Sequence, residues 1–256
     1  MVNFNDFEQK AIPKTLNEVC FGSAAARSHM YAITSGNYGF PGSGMNGIIL
    51  HGPVGAGKTT LARMIPDLME KTNIGMDSLW REEYNIAKGN SGVDFINKIN
   101  DICYSSNWDS ELTYVILNEV NNLSADAMSQ LKSIMDNHQK RVVFIMTTNE
   151  FHKLEKGVID RSYCFDFNDV PGYVWIAAMR RVLKAYGISA YSDAQLTPIG
   201  KSYNGSGRWF ARDIKRLIDG YYKKYPHQYT AFLAAQAQTS SVTTTEQATL
   251  EASVSA

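Results

Sequence analysis

Short, nearly continuous apolar runs alternate with longer stretches in which apolar side chains recur every three or four positions, and the alternation begins at Gly47. The runs at 47–50 (GIIL), 113–117 (TYVIL) and 141–148 (RVVFIMTT) suit strands buried on both faces. The stretches 58–71, 94–104 and 125–137 carry the helical period. Strands and helices in this order predict an open, doubly wound α/β domain with a parallel sheet over residues 47–168. Ahead of it, residues 1–46 form an N-terminal segment with a helix-prone stretch near 24–34 and then the loop GNYGFPGSGMNG. Beyond it, NDVPGY punctuates the chain, and helical stretches near 174–186, 193–203 and 210–225 predict a small helical lid over 169–226. Residues 227–256, rich in Ser, Thr, Ala and Gln from about 236, are expected to be a low-complexity, disordered tail.

Composition leaves this picture intact: 44% hydrophobic and 20% charged residues are those of a globular chain with a sizeable core. Lys+Arg and Asp+Glu each total 25, so net charge gives no reason to infer a polyanion partner, although a local basic stripe could still meet one. Three separated cysteines, Cys20, Cys103 and Cys164, form no CxxC pair and no zinc spacing, which favours a reduced, cytoplasmic chain, in its own cell or in the host of a virus. No apolar stretch approaches the length of a membrane span, and the N-terminus lacks the pattern of a secretion signal. The five histidines are scattered, and neither HExxH nor GxSxG occurs, so metalloprotease and serine-hydrolase chemistry is not indicated.

The strongest chemical signal is GPVGAGKTT, which starts at Gly52 and fits GxxxxGK[ST] directly between an apolar strand and an amphipathic helix. Gly52, Gly55 and Gly57, with Pro53, Val54 and Ala56 between them, let the backbone curl so that amide N–H groups face phosphate oxygens. Lys58 is expected to neutralise the β and γ phosphates, and Thr59 to offer a hydroxyl to Mg²⁺. Thr60 is expected to cap the helix or approach the α-phosphate. The pattern therefore predicts a P-loop NTPase fold binding ATP and Mg²⁺.

Such a site needs a second apolar strand ending in carboxylates, and TYVILNEVNNLS supplies Asn118 and Glu119 where the usual pair is Asp-Glu. Glu119 is expected to polarise the attacking water, while the metal-side carboxylate has become an amide. Loss of such an outer-shell partner often costs about 10 to 100-fold in affinity or activity, so binding is expected to outlast fast hydrolysis. Asn118→Asp is accordingly expected to speed turnover. The strand at 141–148 leads to Asn149, placed to orient the water or touch the γ-phosphate.

With these motifs in place, residues 8–222 resemble the AAA+ ATPases, and among them the subunits of DNA sliding-clamp loaders. IPKTLNEVCFG (12–22) is similar to that family's adenine-side signature, with Lys10 and Ala11 in place of the usual Tyr-Arg, and implies base contacts around Val19 and Phe21. EYNIAKGNSGVDFINKI (83–99) resembles the second strand and following helix, which makes Asn85 the residue that restrains the catalytic Glu until DNA binds, and Lys88 a DNA-phosphate contact. KGVIDRSYCFDF (156–167) aligns with the segment carrying the arginine finger, so Arg161 is expected to reach a neighbouring subunit's ATP, in an Asp-Arg-Ser rather than Ser-Arg-Cys context. GRWFARDIKRLIDGYY (207–222) resembles the helix supplying the second sensor. Replication-initiator register selects Arg212 there and clamp-loader register selects Lys215, with Arg212 preferred because its fork binds phosphate bidentately.

The resemblance implies an ATPase that assembles as a homo-oligomer, or with related AAA+ subunits, and works on DNA with a protein client such as a sliding clamp. Within these 256 residues no segment is left for that family's helical collar, so assembly is expected to rest on ATPase modules and lids. Two alternatives stand beside it. A protein-threading AAA+ ATPase would carry an aromatic pore loop, which IAKGNSG lacks. A scaffold cemented by ATP would turn over slowly because of Asn118.

Overall fold

The computed structural model describes residues 2–73, 75, 81–87, 91–104, 112–168, 170–202 and 206–237. Five parallel strands, β1 (Gly47–His51), β2 (Arg81–Asn85), β3 (Thr113–Asn118), β4 (Val142–Thr148) and β5 (Ser162–Asp166), form one sheet in the order β2-β3-β4-β1-β5. Every residue of β3 and β4 is buried, as expected for central strands with helices on both faces. Alternation sorts the strand side chains. Ile48, Leu50, Tyr114 and Ile116 pack on one face with Leu61 and Ile65 of helix α3 (Lys58–Asn73) and Met30 and Ile33 of α2 (Ala24–Thr34). Ile49, Val115, Leu117 and Phe144 pack on the other with Ile96 and Ile99 of α4 (Val93–Tyr104) and Leu131 and Ile134 of α5 (Ala125–Asn137).

The two edge strands are those that hydrophobic runs did not announce. β2, REEYN, is polar and only half-buried, and β5, SYCFD, buries only Ser162 and Phe165. An edge strand is covered incompletely, so its sequence need not be apolar throughout. The short helix α6 (Lys156–Ile159) leads into β5.

The lid consists of α7 (Gly172–Ala185), α8 (Asp193–Lys201) and α9 (Gly207–Lys224). It differs from expectation at both ends of the chain. An additional helix, α1 (Phe4–Ala11), belongs to the lid's core: Val2 and Phe7 are buried with Trp175, Met179, Ile214 and Ile218. Its anchors are polar as well, with Val2 N donating to Asp219 Oδ1 at 3.0 Å and Tyr186 Oη to Asp6 Oδ2 at 2.8 Å. Arg181 of α7 donates to the carbonyls of Lys10 and Ala11 at 2.9 and 2.7 Å. Eight residues of FNDFEQKA would not hold a helix alone, so docking supplies the stability.

At the other end, residues 226–237, most of them expected to belong to a disordered tail, are helical, and the ring of Phe232 lies 5.3 Å from that of Tyr186 and 5.8 Å from that of Tyr222. Residues 238–256 lie outside the described residues, as do Lys88 and the loop around it. No helix among the described residues is long and apolar enough to cross a membrane.

Candidate functional site

β1 ends at His51 and the chain turns through the glycine-rich loop into the first residue of α3, Lys58. The turn needs positive φ at Gly52 (140°) and Gly55 (85°), and both are closely approached: an added Cβ would sit 2.9 Å from the Phe167 backbone at Gly52 and 3.0 Å from Ser206 Oγ at Gly55. Gly57 lines the cavity, and a Cβ there would meet nothing within 4 Å, so a side chain would fill the cradle instead of packing.

Lys58 is only 7% exposed, and its Nζ donates to Gly52 O (2.7 Å), Pro53 O (2.8 Å) and Asn149 Oδ1 (3.0 Å). Burial lowers its pKa, the Glu119 carboxylate opposes that shift, and the Arg208 guanidinium adds to it. A buried ammonium beside a second cation is an environment that an anion relieves. The site's chemistry therefore fits a polyphosphate.

Opposite the loop, Glu119 stands at the end of β3 with φ 60°, a left-handed conformation uncommon outside Gly, Asn and Asp. It lines the cavity and its two carboxylate oxygens accept from Asn149 Nδ2 at 3.3 and 3.2 Å. Asn149 thus bridges the lysine and the glutamate through its two amide atoms. Asn118, 3% exposed, accepts at Oδ1 from Thr59 Oγ1 (3.3 Å) and Thr147 Oγ1 (3.0 Å) and donates from Nδ2 to Glu83 Oε1 (2.8 Å). Thr59 and Asn118 are therefore together, each with an oxygen a hard cation accepts. Among the described residues no group of three His, Cys, Asp or Glu could hold a metal, so a magnesium ion here would rely on these oxygens, water and phosphate.

The cavity, about 380 Å³, is lined by Lys58, Thr59 and Thr60 of the loop and helix and by the apolar side chains of Val19, Ile12, Pro13 and Phe7, its apolar end. It is closed on one side by the start of α9, where Gly207 N donates to Gly55 O at 2.6 Å.

Several expected residues stand elsewhere. Phe21 does not line the cavity; its ring lies 5.8 Å from that of Phe167 in the core, and Phe7 of α1 occupies the apolar end with Val19. Asn85 is exposed at the end of β2, in register with Asn118, and among the described residues no hydrogen bond joins it to Glu119, which Asn149 holds instead. Arg212 folds over Trp209, its guanidinium 4.1 Å from the ring, and pairs with Asp213, while Lys215 pairs with Asp219. Neither reaches the cavity. Because α9 meets the loop with its N-terminus, its first turn lies nearest the phosphate cradle, and Arg208 lines the cavity there. The GRW at the head of that helix was the available signal, whereas Arg181 of α7, which also lines the cavity, had no motif to reveal it. Arg161 is also away from this cavity: its fork holds Asp136 at 2.7 Å through Nε and Nη2, and Nη1 donates to Gly157 O at 2.8 Å.

The fold that carries this cavity is similar to that of known proteins. Residues 48–168 match the ATPase family associated with various cellular activities (AAA). Replication factor C small subunit 1 of Pyrobaculum arsenaticum is 27% identical over 158 residues, 60% of this chain and 46% of that protein. Replication factor C subunit 4 of Caenorhabditis elegans is 23% identical over 215 residues, 82% of this chain and 60% of that one. DNA polymerase III subunit tau of Bacillus subtilis is 25% identical over 189 residues, 67% of this chain and 32% of that one. The chain spans about half the length of the first of these relatives. In fold it is similar to RuvB of Thermotoga maritima, a Holliday junction branch migration motor, with a TM-score of 0.61 at 18% identity over 82% of this chain and 66% of that one. Residues 48–168 are thus similar to the AAA ATPase domain, and the chain is related at low identity to replication factor C small subunits.

Proposed function

We propose that this chain binds magnesium ATP in the P-loop cavity, hydrolyses it slowly, and acts as a subunit of a clamp-loader-like assembly on DNA. The observation that carries the reading is the hydrogen-bonded line Lys58–Asn149–Glu119 across the mouth of that cavity. Magnesium ATP supplies the terminal phosphoryl group and the divalent charge. Lys58 and Arg208 hold positive charge on the phosphate side, and the loop amides bind and orient. Glu119, its carboxylate oriented by Asn149, takes a proton from water. Thr59 Oγ1 and the Asn118 carbonyl face the metal side with one negative charge fewer than an aspartate would bring. Val19 and its apolar neighbours exclude water from the base end. Relatives named as replication factor C and DNA polymerase III subunits support the link to DNA.

Steady-state phosphate release, measured across protein concentrations with and without primed duplex DNA, tests this. Release per chain is expected to rise with concentration and again with DNA. Flat rates under both conditions, with ATP bound, would refute the assembly-linked motor. One pair of observations favours a second reading, an ATP-cemented scaffold: Asn118 stands where a carboxylate is usual, and Arg161 is already committed to Asp136. That reading predicts an ATP-dependent increase in mass with little phosphate release.

A further inference from the structure

Glu83, on the edge strand β2, takes no part in the cavity lining yet touches the one residue at which the site departs from the usual chemistry. Its Oε1 accepts from Asn118 Nδ2 at 2.8 Å, while Asn118 Oδ1 accepts from the hydroxyls of Thr59 and Thr147. If the amide were reversed, Oδ1 would face Glu83 Oε1, two acceptors in contact with no proton between them. The carboxylate therefore fixes which end of the amide faces Thr59. Glu83 is itself fixed: Arg63, one helical turn beyond Thr59 on α3, donates to both of its oxygens at 2.8 Å in a forked pair. The chain Arg63–Glu83–Asn118–Thr59 thus leaves the P-loop helix, crosses two strands and returns to the P-loop.

We infer that Glu83 is a positioning residue for the metal side of the site, holding the Asn118 carbonyl toward Thr59 from the neighbouring strand. The inference rests on the reading of Thr59 and Asn118 as the magnesium side. It also explains why an amide suits position 118, since an aspartate there would set a second carboxylate against Glu83 across the same 2.8 Å. The expectation that Asn118→Asp alone speeds turnover is revised accordingly: the gain requires Glu83→Gln at the same time.

The test is the affinity of the full chain for ATP, measured by calorimetry with excess Mg²⁺ and again with EDTA, whose ratio is the contribution of magnesium. Glu83→Gln is expected to lower that ratio about tenfold or more, in the range for outer-shell partners, while the EDTA affinity stays at the parental value. Asn118→Asp alone is expected to lower it as well, and the reversed pair Glu83→Gln/Asn118→Asp to restore it to the parental level or above. An unchanged ratio in Glu83→Gln, or an Asn118→Asp variant equal to the reversed pair, overturns the positioning role and leaves the site reading standing. A parent chain whose ATP affinity ignores magnesium overturns both. Should Glu83→Gln melt early, the reversed pair, which keeps a donor facing an acceptor, carries the test against Asn118→Asp.

Discussion

At the scale of single residues, the site depends on a few polar atoms whose partners are used completely. Lys58 spends its three protons on two loop carbonyls and Asn149, so the loop is preformed around the ammonium. Removing it leaves Arg208 and Arg181 as the cations among the described residues that line the cavity. Lys58→Ala is expected to weaken ATP binding by about 100-fold or more, the equivalent of two charge-assisted hydrogen bonds, as read by calorimetry. Unchanged affinity would remove the P-loop from the argument. The motif GPVGAGKTT made Lys58 and Thr59 legible from spacing alone. Arg208 was not legible, because a helix-starting arginine acquires meaning only when the helix end is set against Gly55. Glu83 was equally hidden: its neighbour Asn118 lies 35 positions away and meets it only through β-pairing.

At the scale of elements, buried strands and amphipathic helices were readable, and the partly covered elements were not. The central runs bury every side chain, so their hydropathy follows from position. β5 and α1 are too short and too polar to be distinguished from loop by period, and both are held by what they meet. For α1 the holding contact is testable. Arg181→Ala leaves the Lys10 and Ala11 carbonyls without their donors and is expected to destabilise the fold by about 1 to 3 kcal/mol, seen as a lower thermal midpoint. A second contact joins Asp136 of α5 to Arg161 in the turn before β5. The hydrogen bonds from Arg161 hold the Asp136 carboxyl below the usual carboxylate range. A depressed folded-state pKa contributes stability above the unfolded value of about 3.9, and that stability is lost as pH falls through the folded value. The melting difference between parent and Asp136→Asn is therefore expected to be present at neutral pH and to vanish in acid. A difference that grows in acid would contradict the pairing.

At the scale of the whole molecule, the lid meets the glycine-rich loop through the hydrogen bond from Gly207 N to Gly55 O. The Arg161 fork faces Asp136 of its own chain and lies off the cavity. If it serves a neighbouring subunit, it must exchange that partner for a phosphate in the assembly. Arg161→Ala is then expected to leave ATP binding intact and reduce phosphate release by about 1,000-fold where the parent assembles. Equal release by variant and parent would assign Arg161 to its contact with Asp136 alone.

By itself the sequence determined the class of fold and the glycine-rich loop, because both are written in local patterns: buried strands demand apolar runs, and the turns of such a loop demand glycines at fixed spacing. Only the tertiary structure decided which side chains complete the site. It set Arg208 in the cavity lining, with Arg212 and Lys215 outside it, by the end of α9 that meets the loop, and it placed Asn149 within hydrogen-bond reach of Glu119. It also brought Glu83 to Asn118. Those choices depend on distances between segments far apart in the chain, and the sheet and the lid set such distances without leaving a local mark in the sequence.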